Sequence, residues 1–269
     1  MDKSTIAGIL VAVGGIVAGL LLEGGNLGQV LQPTAAIIVF GGTVGAILIQ
    51  FPLSVVLAGV RELAHVFFEN ADSQQSLIRE MVQFAHKARK HGIVSLDSET
   101  DTIADPFLKR ALMLAVDGTE PDQLRRMMEL EMDNKAEEEE RVPQVFEAAG
   151  GFSPTIGIIG AVLGLIQVMQ HMDKIEEVGR GIAVAFVATI YGVGLANLFL
   201  LPAAGKLKIR MRQAQILREM MVEGVISILE GMNPRMLEIK LLGFTSIRQD
   251  SVGPVAVPKA RVSGQAVET

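Results

Sequence analysis

The chain has 269 residues, of which 49% are hydrophobic, with a mean hydropathy of +0.40 and a formal net charge of −6. Cysteine is absent, which excludes a disulfide framework and thiolate metal sites. The acidic balance argues against nucleic acid as a partner, and the concentration of apolar residues into long runs argues against a soluble α/β protein.

Four stretches hold no Asp, Glu, Lys or Arg and are long enough to cross a bilayer: residues 4–22, 24–60, 148–172 and 181–205. A spanning helix needs roughly 20 mostly apolar residues. No small-residue cleavage site with a polar follow-on succeeds the first run, so it reads as a retained span and not a signal peptide. The second run is too long for one helix. Its beginning, 24–33, is a Gly/Asn/Gln/Pro turn, which predicts a helix over 34–58.

Lys and Arg concentrate in 61–147 and in Lys206, Lys208, Arg210 and Arg212, whereas 23–33 has none. The positive-inside rule places those segments, and both termini, in the cytoplasm. The predicted fold class is all-α: a polytopic membrane protein with four transmembrane helices and a helical cytoplasmic domain between spans two and three.

Within 61–147 the apolar stripes Leu77, Ile78, Met81, Val82, Ala85 and Leu108, Ala111, Leu112, Ala115, Val116 predict one-sided helices. Asp105-Pro106 and Glu120-Pro121 have the form of a cap followed by a first helical turn. Glu137–Glu140 reads as a solvated acidic face. The fourth span should continue as a helix from Lys206 to about Glu230, burying Ile216, Met220, Val222, Ile226 and Leu229, with Asn233-Pro234 ending it. The expected division is 1–60 for spans one and two, 61–147 for the cytoplasmic domain and 148–205 for spans three and four. A cytoplasmic helical segment at 206–249 and an unstructured Pro/Gly/Val/Ser-rich tail at 250–269 complete it.

Transporters usually place a carboxylate or a base where the ion is handled. These spans hold none of Asp, Glu, Lys or Arg, only hydroxyls such as Ser153, Thr155, Thr189 and Tyr191. A span hydroxyl commonly bonds back to a carbonyl of its own helix. Gly157, Gly160, Ala161 and Gly164 on span three, with Gly192 and Gly194 on span four, are suited to close helix approach. Such a chain reads as half of a machine whose titrating group sits on another polypeptide. No nucleophile–base set or P-loop is present, and the four histidines are scattered, so no catalytic residue, cofactor or metal site is expected.

Several segments together resemble one family. Ala88-Arg89-Lys90-His91-Gly92 with Leu96-Asp97 resembles the cytoplasmic charged motif of flagellar stator A-subunits. The run from Pro154 through Gly157, Gly160, Ala161 and Gly164 is similar to their third span. Ala185 through Thr189, Tyr191 and Gly192, on to Ala196-Asn197 and Leu201-Pro202, is similar to their fourth. Gly231-Met232-Asn233-Pro234-Arg235 resembles their post-membrane motif. The chain is thereby identified as a member of the MotA/PomA family, within the MotA/TolQ/ExbB proton-channel group.

The resemblance implies a homopentamer around two MotB-type B-subunits. Each B-subunit supplies an intramembrane Asp, and the A-ring pushes on the rotor protein FliG. It implies a multi-pass protein of the bacterial inner membrane that conducts H+ or Na+ and turns the flow into torque. Arg89, Lys90, Asp97 and Glu99 would form the rotor interface. Asp97 stands where the family usually has Glu, keeping the charge but shortening its reach. Pro154, Ala161, Thr189, Tyr191 and Pro202 would lie on the ion path or the B-subunit interface. Sodium-driven relatives tend to carry Thr where Ala161 stands, and a hard cation prefers an oxygen ligand, so H+ is favoured. The alternatives are an ExbB/TolQ-like energy transducer, which has three spans, and a non-conducting membrane scaffold.

Overall fold

The computed structural model describes residues 3–65 and 73–244. The expected tail at 250–269 lies outside the described residues, as do 245–249 and 66–72 of the expected cytoplasmic segments. All regular structure among the described residues is helical.

Helix α1 (Lys3–Leu22) is apolar around its whole circumference and buries almost nothing against the rest of the chain. The outer loop holds one short turn, α2 (Leu27–Val30). Asn26 caps it by accepting from the Gly28 N–H, and Gln29 reaches back to the Asn26 N–H. The second span, α3 (Pro33–Gln50), opens on a proline at its first turn and widens into a π-helical turn at Ile37–Gly41. It ends earlier than the predicted 34–58. Phe51 is extended because Pro52 disfavours a helical residue before it, and a separate helix α4 (Leu53–His65) follows. An uncharged proline is invisible to a search for charge gaps.

Helix α5 (Ser73–His91) ends where Gly92 adopts φ +81°. The chain then makes a 3-10 turn (Ile93–Leu96), a single helical turn (Asp97–Thr100) and helix α6 (Pro106–Val116). Asp105 caps α6 as predicted, accepting from the N–H of Phe107 at 2.8 Å and of Leu108 at 3.2 Å.

Two long helices organise the molecule. Helix α7 (Pro121–Gln170) runs 50 residues without a break, and α8 (Ile175–Leu229) runs 55, with a π-helical turn at Leu195–Leu200. At 1.5 Å per residue they are about 75 and 82 Å long, more than twice the ~30 Å hydrocarbon core. Each is a membrane span carried beyond the bilayer on the same rod. The predicted continuation of span four to about Glu230 is therefore present, but its terminator differs. Gly231, at φ +73°, turns the chain, while Asn233 accepts from the Arg235 N–H and caps a new helix, α9 (Pro234–Leu242). Asn-Pro here starts a helix.

The extramembrane core joins α5, α6, α9 and the charged parts of α7 and α8. Met81, Leu96, Leu112, Leu124, Met220 and Leu237 are fully buried in it. The predicted stripes face inward: Leu77, Ile78, Met81 and Ala85 on α5, and Leu108, Ala111, Leu112 and Ala115 on α6. On α8 Met220, Val222 and Ile226 are buried, with Ile216 and Leu229 at the margin. Charge pairs fasten the rods together. Arg125 and Lys240 both reach Glu223, at 2.7 and 2.5 Å, joining α7, α8 and α9. Burial pushes the Glu223 carboxyl up, and hydrogen bonds from Lys240 and Arg125 outweigh it, holding the group below the usual carboxylate range. Arg218, only 9% exposed, grips both oxygens of Glu139. Of the acidic run at 137–140, Glu139 is therefore a structural partner, while the other three carboxylates face outward as predicted.

Candidate functional site

Spans three and four meet along a seam of very small residues. Gly157, Gly160 and Gly164 on α7 face Gly181, Ala185, Ala188 and Gly192 on α8. A Cβ added at Gly157 would stand 2.9 Å from the Ala188 carbonyl oxygen, and one at Gly164 would stand 2.8 Å from that of Gly181. Backbone therefore packs on backbone, the contact that drives helix association where no hydrophobic effect operates. Ser153, fully buried, donates across the seam to the Gly192 carbonyl at 3.0 Å.

Three of the predicted ion-path residues gather beside this seam. Pro154 lies against Gly192: a Cβ there would be 3.2 Å from the Pro154 Cα. Thr189 lies against Gly157, at 3.5 Å by the same measure. Ala161 follows Pro154 by seven residues, two turns along the same face, and is half-buried. Pro154 has no N–H to offer the carbonyl of Gly150, so the ladder of α7 is weakened where the seam begins. The Thr189 hydroxyl donates to the Ala185 carbonyl at 3.2 Å, the local bond a span threonine makes when no other partner is present. Beside it Phe186, Ile190 and Val193 are exposed, and with Ile16 of span one they border an open cavity of about 460 Å³.

The other two predicted residues lie elsewhere. The Tyr191 hydroxyl donates to the Val30 carbonyl at 2.6 Å and accepts from the Gln32 N–H at 3.4 Å, and its ring lies 6.2 Å from that of Phe40. It pins the outer loop and span two to span four. Pro202 is exposed and borders a groove with Thr5, Ile9 and Lys206, on the side facing span one. Neither connection has a signal in the sequence, because both join residues far apart in the chain.

The charged motif folds as a sharp corner. Arg89 and Lys90 stand exposed in the last turn of α5, where cations favour the helix C-terminus. Gly92 turns the chain, Leu96 plugs into the core, and Asp97 is exposed at the start of the next helical turn. Arg89, Lys90 and Asp97 form no ion pair with any described residue, so their charges are all presented outward. Glu99 is different: Lys87 bonds it and also reaches the Ser98 hydroxyl at 3.0 Å. Lys87, absent from the predicted set, is thus the residue that fixes the corner. It stands three residues before Lys90 and four before His91, on their side of α5, which is the hint the sequence offers.

An uncharged four-span bundle with a backbone-tight seam, carried on rods that end in a charged helical domain, defines a multi-pass membrane subunit built to assemble with others. Comparison with known proteins agrees. The family described as the MotA/TolQ/ExbB proton channel family matches residues 99–220, and that described as motility protein A, N-terminal, matches residues 6–92. Motility protein A of Bacillus subtilis is 36% identical over 248 residues, covering 91% of either chain. A solved structure of C. jejuni MotAB covers 95% of this chain and 100% of its own at a TM-score of 0.88 and 32% identity. The flagellar MotAB stator complex of Bacillus subtilis gives 0.82 and 36%, covering 90% and 95%. The chain belongs to the motility protein A family.

Proposed function

We propose that this chain is the A-subunit of a flagellar motor stator in the bacterial inner membrane, with both termini in the cytoplasm. It assembles, as a pentamer, around B-subunits that each bring one intramembrane aspartate. The observation that carries this reading is the complete lack of Asp, Glu, Lys and Arg in four spans whose third and fourth helices pack backbone to backbone. A conducting assembly needs a titrating group, and here a partner must supply it.

On this reading the exposed face beside Thr189 receives the partner span. The Thr189 hydroxyl exchanges its bond to Ala185 for water or for the partner carboxylate. Pro154, where the α7 ladder is weakened, lets the helix yield as that carboxylate gains and loses its ion. Ala161 offers no oxygen ligand, which favours H+ over Na+. One charge crossing 100 mV releases about 2.3 kcal/mol, roughly four times thermal energy, enough to bias a rotary step. Arg89, Lys90 and Asp97, unpaired at the corner, present charge to the rotor protein FliG. Such exposed charges register a partner without holding it fast.

The similarity to the motility protein A N-terminal family at residues 6–92 and the four spans favour this reading over an ExbB/TolQ-like transducer. Replacing Pro154 by Ala should abolish swimming while the complex with the B-subunit still copurifies. Wild-type swimming by that variant would support a passive scaffold instead. Torque that collapses in sodium-free medium at fixed pH would reverse the ion assignment.

A further inference from the structure

Taking the chain as a stator subunit, we propose that Asn197 is a second polar station of the ion path, positioning water on the cytoplasmic side of Thr189. This role stands only if that reading does. Asn197 sits within the π-helical turn Leu195–Leu200, in which the Leu201 N–H reaches back to the Ala196 carbonyl. Turns of this kind are frequent at functional sites.

Thr189, Val193 and Asn197 follow one another at four-residue spacing, and all three line the cavity of about 460 Å³. The remaining walls are apolar, Ile16, Phe186 and Ile190 among them, so Thr189 and Asn197 bring the polar side chains to it. Both fold back on their own helix. The Thr189 hydroxyl donates to the Ala185 carbonyl at 3.2 Å, and the Asn197 amide donates one N–H to the Val193 carbonyl at 3.0 Å. That bond uses the one proton a threonine hydroxyl has. A carboxamide has two N–H donors and an oxygen with two lone pairs. No described residue bonds the second N–H or the Oδ1 of Asn197, which is exposed.

The depth matters. Lys206, the first charge after Asn197, is nine residues on, about 13 Å along the helix. A short asparagine side chain cannot reach the headgroups from there, and hydrocarbon offers it no hydrogen bond. Polar side chains at such depth face a bundle interior or a water-filled cavity. Thr189 stands eight residues to the other side, about 12 Å away. About four waters hydrogen-bonded at ~2.8 Å bridge that length. A carboxamide both donates and accepts and carries no titrating proton, so it orients water that passes a proton without capturing it.

A bond from Asn197 to a neighbouring span is the rival use of the same amide, and the two predict different losses. Stall torque follows the free energy each ion releases and the number of assembled stators. Unloaded speed follows how fast ions pass. Cells lacking the gene for this chain, supplied with full-length variants, are therefore read at both loads. Asn197→Leu keeps the size and removes both polar atoms. It should lower the speed near zero load about tenfold, the weight of one hydrogen bond at the limiting step. Stall torque and copurification of the B-subunit should be unchanged. Asn197→Ser, whose hydroxyl also donates and accepts, should recover most of the speed. Full unloaded speed in Asn197→Leu would overturn the proposal and leave the stator reading standing. So would a parallel fall of speed and torque, or lost copurification, which mark a packing role. Failure of the unmodified chain to restore rotation would overturn both.

Discussion

The charged helical domain and the membrane bundle bury opposite kinds of residue. In the domain, large side chains such as Met81, Leu112 and Met128 are hidden and charges sit outside or in clamps. In the bundle, Ile158, Ile159, Val162 and Leu163 are exposed, and Gly157, Gly160, Gly164 and Ala188 are hidden. The two halves of one helix, α7, therefore follow different physics. Water drives large apolar groups together at its charged end. Lipid gives them no such reason at the other, and there stability comes from how closely two backbones can approach. The domain should be sensitive to atoms removed, and the bundle to atoms added.

Leu112→Ala should test this most strongly. Truncating a fully buried leucine costs about 2–5 kcal/mol, readable as a lowered thermal midpoint of the domain with the spans still inserted. Next is Gly157→Ala. One methyl against the Ala188 carbonyl should cost about 1–3 kcal/mol, the range for overpacking, and should weaken assembly in detergent. Ile158→Ala, which removes three carbons one residue away on the lipid-facing side, should be close to neutral. If Gly157→Ala were neutral and Ile158→Ala destabilising, the contrast between the halves would fail.

Arg218→Ala sharpens the comparison within the charged part of α8, because it strands Glu139 beside the core. A loss of about 1–3 kcal/mol is expected, the cost of leaving a largely buried charged partner unsatisfied. The smallest effect is on pH. Glu223 has a depressed folded pKa, so its contribution is fully present above the unfolded value near 4.5. It fades as pH falls through the lower folded value. Glu223→Gln should flatten the acid limb of stability measured below that pH. Glu80 works in the other direction. Burial and the nearby Asp105 raise its pKa, so it favours the fold only as it protonates.

Periodic features were readable in advance, and contacts at long range were not. The stripes on α5 and α6 could be seen because a one-sided helix repeats its apolar residues, and the Asp105-Pro106 cap because capping chemistry is local. Charge gaps located four spans but placed the end of the second too late, since Pro52 carries no charge. Asn233-Pro234 has the form of a stop because proline breaks helices, yet the same pair starts one when Asn caps and Pro takes the first turn. Of the seam, the glycines were legible as packing residues. Which hydroxyl crosses it was not: Ser153 does, while Thr189 bonds within its own helix and Tyr191 reaches 161 residues back to Val30. Arg89 and Asp97, eight residues apart, are both exposed, on either side of the corner that Gly92 makes.

The unbroken run of α7 has a mechanical consequence. Met128, in the extramembrane core, and Gly157, in the seam, belong to one rod about 44 Å apart along its axis. Only Pro143 and Pro154 interrupt its hydrogen-bond ladder. The clamps at Glu139 and Glu223 hold α8 against α7 only on the far side of both prolines from the seam, so the stretch from Arg125 to Glu139 moves as one piece and any bending of the rod concentrates at Pro143 and Pro154.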